Sequence, residues 1–480
     1  MDTNEFELGH SRYSGSNSRF HPEANDDYRV VSEKDLTLKK LNQLVKHHRD
    51  FQRPRLVELE DYYKGDNREI LKRSSRRKNP EDADHRATHN FARYVSTFIQ
   101  GYLAGVPIRV EHTTKATQES IRKNDQVNDA EGLNSDLILD CSVFGRAYEL
   151  FYRNFDDNNR VSRSDPKNTF VIYDTTVDKR PVAAVRYVEY RDDNGQGRLF
   201  ATVYTATSET EYKSDNPTDI DFKEEDTRKH YWQTVPVNEY RNNRYRQGDF
   251  EPVLNLIDLY DSAQSDIANY MTDLNDALLK ITGNIEMSVD DAKKQRSANL
   301  MLLKPPIDVD GKEGSADADF IYKKYDVNGV ESYKERLETD IHKFTNTPNL
   351  NDSHFANQQS GEAMKYKLFG LEQVRAAKER LFRQSMRRRY RIFSGMGETA
   401  RDKTSININH VDDIEIIFTP NLPRTMSEEI EAFEKLGGEL SQHTLLGLLS
   451  MIQDPEAEHQ RVQEERQSQL SDPYGNEGGT

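Results

Sequence analysis

No proline interrupts the chain between Pro348 and Pro420, so nothing in that stretch forces a helix to break. Within it, Met364, Leu368, Leu371, Val374, Ala377, Leu381, Tyr390 and Phe393 recur mostly at three- and four-residue spacing. The spacing predicts one apolar face of a helix over 360–395, roughly 35 residues or about 50 Å long. A compact domain rarely needs such a length, which suits a chain built to line or span something. Gly370 falls inside the expected helix and marks a kink, because glycine weakens a helix by about 1 kcal/mol relative to alanine. Ahead of it, 346–359 reads as a polar loop with Asn349, Asn351, His354, Asn357, Gln358 and Gln359 and no Lys or Arg.

The 480 residues leave room for three or four modules and a substantial core. Only 34% of them are hydrophobic and 31% are charged, which favours an elongated subunit or an assembly, although disordered ends on an ordinary domain give the same figures. Acidic residues outnumber basic ones 83 to 67, a formal charge of -16. Each phosphate contact needs a Lys or Arg, so tight DNA binding is disfavoured while passing contact is not. The single cysteine, Cys141, excludes an internal disulfide and a cysteine-based zinc site, and fits a buried thiol made in a reducing compartment. The longest apolar run, Leu445 to Ile452, is too short to cross a bilayer, and the first residues carry no signal-peptide core. A soluble product made inside the cell, with no membrane partner, is expected.

Along the chain the pattern predicts an α+β protein. Residues 1–33 lack periodicity and are expected to be disordered. Helices follow from Leu36 to Lys64, with Gly65 as C-cap, and from Phe91 to Leu103. Between them Lys72–Lys78 is a basic loop, read either as a solvated charge run or as a nucleic-acid contact. Tyr148–Tyr152, Phe170–Tyr173, Ala183–Tyr190 and Leu199–Tyr204 are β-branched and aromatic runs that predict an antiparallel sheet on the preceding helices. Residues 208–230 read as a hydrophilic excursion.

Val253 to Ile281 predicts a second long helix, with Val253, Leu256, Ile257, Tyr260, Ile267, Met271, Leu274 and Leu278 on one face. Asp258, Asp261, Asp266, Asp273 and Asp276 fall opposite, either as solvated surface or as a face that repels DNA. A small αβ insert at 285–328, with strands at Ala298–Leu303 and Phe320–Tyr325, separates this helix from one at Val330–Phe344. After Gly395 come a strand at Ile414–Phe418 and helices at Met426–Leu436, at Ser441–Ile452 and from Pro455, with a disordered tail from Gln467.

Several chemistries are missing from the sequence. No Gly-x-x-x-x-Gly-Lys-Ser/Thr phosphate loop and no His-Glu-x-x-His occur. His85 and His89 have metal-sharing spacing, but no third ligand accompanies them, so chance polar histidines are the expectation. No cofactor or metal is therefore expected. Arg383, Arg387, Arg388, Arg389 and Arg391 cluster late in the long helix, where cations complement the macrodipole. They read as partners for acidic neighbours across helices or subunits, with phosphate contact as the alternative.

Tyr62-Tyr-Lys-Gly65, Asn90-Phe-Ala-Arg-Tyr-Val95, Gly101-Tyr-Leu-Ala-Gly-Val-Pro-Ile108, Asn242-Asn243, Leu256-Ile-Asp-Leu-Tyr-Asp-Ser262, Asp273-Leu-Asn-Asp276, Ser360-Gly-Glu-Ala-Met-Lys-Tyr-Lys367 and Leu436-Gly-Gly438 stand in that order. Together they resemble portal proteins of tailed bacteriophages, of the kind found in long-tailed phages of Gram-positive bacteria. The resemblance covers about 36–465 and implies a ring, a dodecamer in the assembled head, around a DNA channel at one capsid vertex of the virion. It implies a wing at 34–250, stem helices at 251–284 and 329–345, a clip at 285–328, a tunnel loop at 346–359 and a tunnel helix at 360–395. A return segment with a wing strand at 396–425 and crown helices at 426–466 complete the subunit. The implied roles are nucleation of the procapsid, genome packaging and ejection, with no enzymatic step. The implied partners are double-stranded DNA in transit, the terminase large subunit, scaffolding protein, major capsid protein and head-tail adaptor. The alternatives are a minor head or packaging-associated protein and, from another class, a DNA-processing enzyme.

Overall fold

The computed structural model describes residues 19–72, 77, 83–156, 158–191, 195–273, 278–282, 317–321, 326–350, 368–400 and 408–421, with short pieces between 288 and 294 and between 433 and 471. The chain divides into two compact units, 1–419 and 420–480. In the first, strand β1 (Tyr28–Arg29) precedes α1 (Leu38–His47), α2 (Arg53–Lys64) and α3 (Arg68–Leu71), and an extended strap at 84–90 leads into α4 (Phe91–Ala104). Thr37 and Asn90 cap α1 and α4 by accepting the amide N–H groups of Lys40 and Arg93. Gly65 closes α2 at φ +88°, a left-handed conformation that costs glycine little.

After β2 (Arg109–Glu111), α5 (Lys115–Val127) and α6 (Ala130–Phe144) come β3 (Arg146–Arg153), β4 (Asn159–Ser164), β5 (Thr169–Tyr173), β6 (Pro181–Arg191), β7 (Gly197–Tyr204), β8 (Ser208–Ser214), β9 (Lys223–Lys229) and β10 (Val237–Arg241). They form a six-stranded sheet in the order β1-β5-β6-β7-β8-β9 and a three-stranded sheet in the order β10-β3-β4. Only the β1–β5 pair is parallel within these two sheets. Period-two alternation sends Val185, Tyr187, Leu199, Ala201 and Val203 into one core with Leu41, Leu44 and Val45 of α1. Val171, Ala184 and Tyr204 build a smaller core with Tyr148, Val235 and Val237.

The rest of this unit is α7 (Leu254–Asp273), an antiparallel pair of β11 (Leu278–Thr282) and β12 (Asp317–Ile321), α8 (Val327–Thr345), the 32-residue α9 (Phe369–Ala400), and β13 (Glu415–Ile417), which pairs antiparallel with β2. The second unit contains α10 (Gln442–Leu446) and α11 (Pro455–Ser471).

Four expectations are corrected. Residues 19–33 are ordered: Tyr28 and Val30 are core residues, and Arg19 pairs with Glu58 at 2.7 Å and Asp258 at 2.6 Å. Specific charge partners far along the chain hold this segment, and they leave no periodic trace. Residues 208–230 are the β8–β9 hairpin, in which every residue of β9 is exposed, so its charge concealed its pairing. The helix expected to reach Ile281 ends at Asp273, and Leu278–Thr282 is a strand. The tail expected from Gln467 is helical to Ser471. The strand expected at Ala298–Leu303 lies outside the described residues.

Polar chemistry fixes the register of α7. Its buried stripe is Asp261, Ser265 and Asn269 as well as Leu254 and Ile257, whereas Met271, placed on the expected apolar face, is exposed. These three side chains accept the backbone N–H groups of His89 at 2.8 Å, Ala87 at 2.9 Å and His85 at 2.7 Å. Four helical residues advance about 6 Å and two extended residues nearly 7 Å, so the two repeats stay in step along the strap.

A second polar cluster is buried where the N-terminal segment, α2, β3 and β10 meet. Arg55 donates to Glu251 at 2.8 and 2.6 Å and to the Arg246 carbonyl at 3.1 Å. Arg246 in turn holds Glu239 at 2.7 Å and Asp27 at 2.7 Å, and Arg146 donates to Asn25. Gly145, at φ +81°, lies beneath this loop, and a Cβ there would sit 1.9 Å from the Arg246 carbonyl oxygen.

Two expectations follow for stability. Replacing both Ser265 and Asn269 by Ala is expected to cost about 2 kcal/mol in urea unfolding, roughly 1 per lost bond, and to speed hydrogen exchange at the amides of Ala87 and His85. Unchanged exchange at those two amides would show that the ladder does not hold the strap. For Glu239, burial pushes its pKa up, but the Arg246 charge and hydrogen bonds outweigh burial and hold it at about 2, against an ordinary 4.5. Its stabilisation is therefore complete above about pH 4.5 and lost as the pH falls through about 2. Glu239→Gln should flatten the loss of stability between about pH 5 and pH 2, followed by denaturant titration at each pH.

Candidate functional site

The described residues on either side of 351–367 are both held by α4. On the N-terminal side α8 ends in Asn346, whose φ of +54° turns the chain, and the Thr347 amide bonds the His342 carbonyl at 3.1 Å. The His342 ring stands edge-on to Phe91 and Tyr94 of α4, with centroids 6.3 and 5.3 Å away, and burial lowers its pKa. The Tyr94 hydroxyl then donates to the Pro348 carbonyl at 2.7 Å. On the C-terminal side the Tyr102 hydroxyl bonds Glu372 in the first turn of α9.

Tyr94 and Tyr102 are eight residues apart on α4, about 12 Å along its axis. The two flanks also meet each other, since a Cβ on Gly370 would lie 3.0 Å from Asn346 Oδ1. Gly370 therefore serves the first turn of the described helix, at a close approach, and is not a kink midway along it; residues 360–367 lie outside those described. Of the expected loop residues, Asn349 donates to Glu338 at 2.7 Å, while Asn351, His354, Asn357, Gln358 and Gln359 fall outside the described residues. The anchors Tyr94, Tyr102, His342 and Glu372 were missed by sequence reasoning. The available signal was the aromatic stripe Phe91, Tyr94, Phe98 and Tyr102 at three- and four-residue spacing.

The acidic face of α7 is not one surface. Asp261 is wholly buried and accepts from His89 and from Asn67 at 2.8 Å. Asp258 accepts from Arg19 at 2.6 Å, Tyr62 at 2.5 Å and Asn67 at 3.0 Å. Asp273 pairs with Arg77 at 2.5 Å, so the basic loop contributes a partner here. Asp266 is exposed, and Asp276 lies outside the described residues. A helical wheel separates polar from apolar positions, but it cannot show that a polar face meets backbone N–H groups.

Within the chain, most of the arginine cluster is engaged with distant segments. Arg389 is buried, donating to Glu149 at 2.9 Å and Asn134 at 2.7 Å, with its guanidinium 5.7 Å from the centre of the Tyr240 ring. Arg388 donates to the Val235 and Val237 carbonyls at 3.3 and 3.4 Å, and Ser385 to that of Glu239 at 2.8 Å. Arg383 bonds the Ile416 carbonyl at 3.0 Å and lies over Phe418, and Arg391 pairs with Asp412. Arg387 alone of the five is exposed without such a contact among the described residues. The physical reason is position: α9 runs along the open edge of β10, whose carbonyls need donors.

His85 and His89 are each engaged with α7, through Thr272 at 2.9 Å and Asp261 at 3.0 Å. Among the described residues one group of His112, His410 and Asp413 gathers potential metal ligands. Its bonding does not suit a metal. The Thr114 amide donates to His112 Nδ1 at 2.9 Å, so Nε2 carries the proton that it gives to the His410 carbonyl at 3.0 Å. No lone pair of His112 remains for a cation.

With this geometry in place, comparison with known proteins is informative. Residues 42–472 match the family model described as phage portal protein, SPP1 Gp6-like. The portal protein of Bacillus phage SPP1 is 23% identical over 396 residues, which span 79% of this chain and 76% of that protein. Among solved structures, a chain titled neck of empty GTA particle computed with C6 symmetry aligns over 74% of this chain and 88% of its own, at 11% identity and a TM-score of 0.42. A chain titled neck of native GTA particle computed with C12 symmetry aligns over the same shares, at 12% identity and a TM-score of 0.40. The chain described here belongs to the SPP1 Gp6-like family of phage portal proteins.

Proposed function

We propose that this portal subunit is a non-enzymatic building block of a dodecameric ring at one capsid vertex, through which DNA enters during packaging and leaves during ejection. The observation that carries the reading is the family match, whose bounds, 42 and 472, enclose the loop at 346–359. In this reading 34–250 is the wing, joined by the β13 strand, and α7 (Leu254–Asp273) and 329–345 are stem helices. Residues 285–328 form the clip that meets the terminase large subunit and later the head-tail adaptor, and 426–466 the crown. The wing and crown offer surfaces to scaffolding protein and major capsid protein. The subunit is made in the host cytoplasm and ends in the virion.

The physical case concerns release. Every Lys or Arg that neutralises a phosphate adds salt-dependent affinity, and a channel that passes long DNA cannot hold it. The loop at 346–359 carries amides and one imidazole but no cationic Lys or Arg, so it touches DNA through weak hydrogen bonds.

Two experiments test this reading. Electron microscopy of the purified chain with scaffolding or capsid protein is expected to show rings with a central channel; particles without a channel would overturn the proposal. Asn351→Lys combined with Gln358→Lys is expected to leave rings intact, to raise the salt slope of DNA binding by about 2, and to slow or stall head filling. Asn349 is spared because its amide holds Glu338. Heads filled at the normal rate by the double variant would remove the loop from the channel.

A further inference from the structure

The six-stranded sheet has one face closed by α1 and another that is open over part of its length. On the open face the strand register aligns Val188, Phe200, Lys213 and Lys223 in one row across β6, β7, β8 and β9. Val188 and Phe200 remain 41% and 37% exposed. Tyr190 packs on Phe200, with ring centroids 4.9 Å apart, and Lys213 Nζ lies 5.8 Å from the Phe200 centroid. The row cannot slip, because a shift of one residue would expel Leu199, Ala201 and Val203 from the core.

The charge on this row is unusual for an acidic chain. Lys213 and Lys223 are direct cross-strand partners, an arrangement that destabilises a sheet when nothing offsets it. Among the described residues neither makes an ion pair, and Arg186 and Arg198 flank the apolar residues on the same face. The adjoining row holds Glu211 and Asp226, which share Arg228. The face therefore reads, in order, as apolar centre, cationic corner and acidic margin.

We propose that this face docks an acidic, amphipathic segment of a partner protein, whose apolar side chains cover Val188 and Phe200 while its carboxylates meet Lys213 and Lys223. Charge complementarity selects this occupant. Single-stranded nucleic acid also seeks aromatic and cationic side chains, but here the two rings pack on each other and Lys213 covers one of them. Packed together, the rings do not form two separated platforms on which successive bases could stack.

The test uses the full chain and a fluorescent synthetic peptide alternating Glu with Leu, with a fluorescent single-stranded oligonucleotide as the second probe, both read by anisotropy. The wild-type chain is expected to bind the peptide, less tightly as salt rises, and not the oligonucleotide. Lys213→Glu with Lys223→Glu should weaken peptide binding about tenfold or more, and Phe200→Thr severalfold, with circular dichroism unchanged in both. Failure of the peptide to bind, equal binding by the variants, or preference for the oligonucleotide would overturn the proposal. So would loss of self-association in the charge-reversed variant by sedimentation, which would make the face a contact between copies of this chain.

Discussion

Three arginines and three carboxylates buried together decide how the larger unit is assembled. Arg55, Arg146 and Arg246 meet Asp27, Glu239 and Glu251 at a point where the N-terminal segment, α2, β3 and β10 converge. Taking six charges out of water is costly, and the cost is offset only while each side chain keeps its partners. Loss of one partner leaves an uncompensated buried charge, typically about 3–5 kcal/mol. The cluster thus specifies one arrangement of four chain segments, where an oily core would tolerate several. It also reaches α9, since Lys378 bonds Asp249 at 2.7 Å in the same 242–250 loop whose Gly248 amide is held by Glu251.

A similar logic explains what could be read from the sequence and what could not. Periodic apolar runs announced α1, α4, the sheet strands β3, β5, β6 and β7, and α9, because burial of those side chains repeats at the period of the element. The ordered motifs Tyr62–Gly65, Asn90–Val95 and Asn242–Asn243 lie at joints: the Gly65 turn, the cap of α4, and the loop over Gly145. Residues 19–33 and β8–β9 were not legible, since paired charges hold the first and cross-strand backbone bonds the second, and neither leaves a hydrophobic period. The arginines of α9 were visible as a cluster, yet their partners Glu149, Asn134 and the Val235 carbonyl lie too far away in sequence to be inferred.

The site shows the same division. The loop without Lys or Arg and the long helix behind it stand out in the sequence, whereas the way they are mounted does not. Tyr94 and Tyr102 fix the residues on either side of 351–367 to α4, and α4 packs its other face into the protein through Ala92, Val95, Ile99 and Leu103. A rigid helix thereby bears both flanks, and the polar stripe of α7 bears the strap that leads into that helix. The chain of support runs from backbone amides through α7 to α4, with hydrophobic packing on only one of its sides.

The strap carries a consequence for how this sequence can drift. At Ala87 the ladder reads an amide, not a side chain, so most residues suit the position and proline does not, because it lacks the donor. The opposite holds on α7, where Asp261, Ser265 and Asn269 are read as side chains and few replacements supply the same acceptor at the same reach. Across related chains, variation should therefore be lopsided: position 87 changes freely except to proline, while the three helical positions that face the strap barely change.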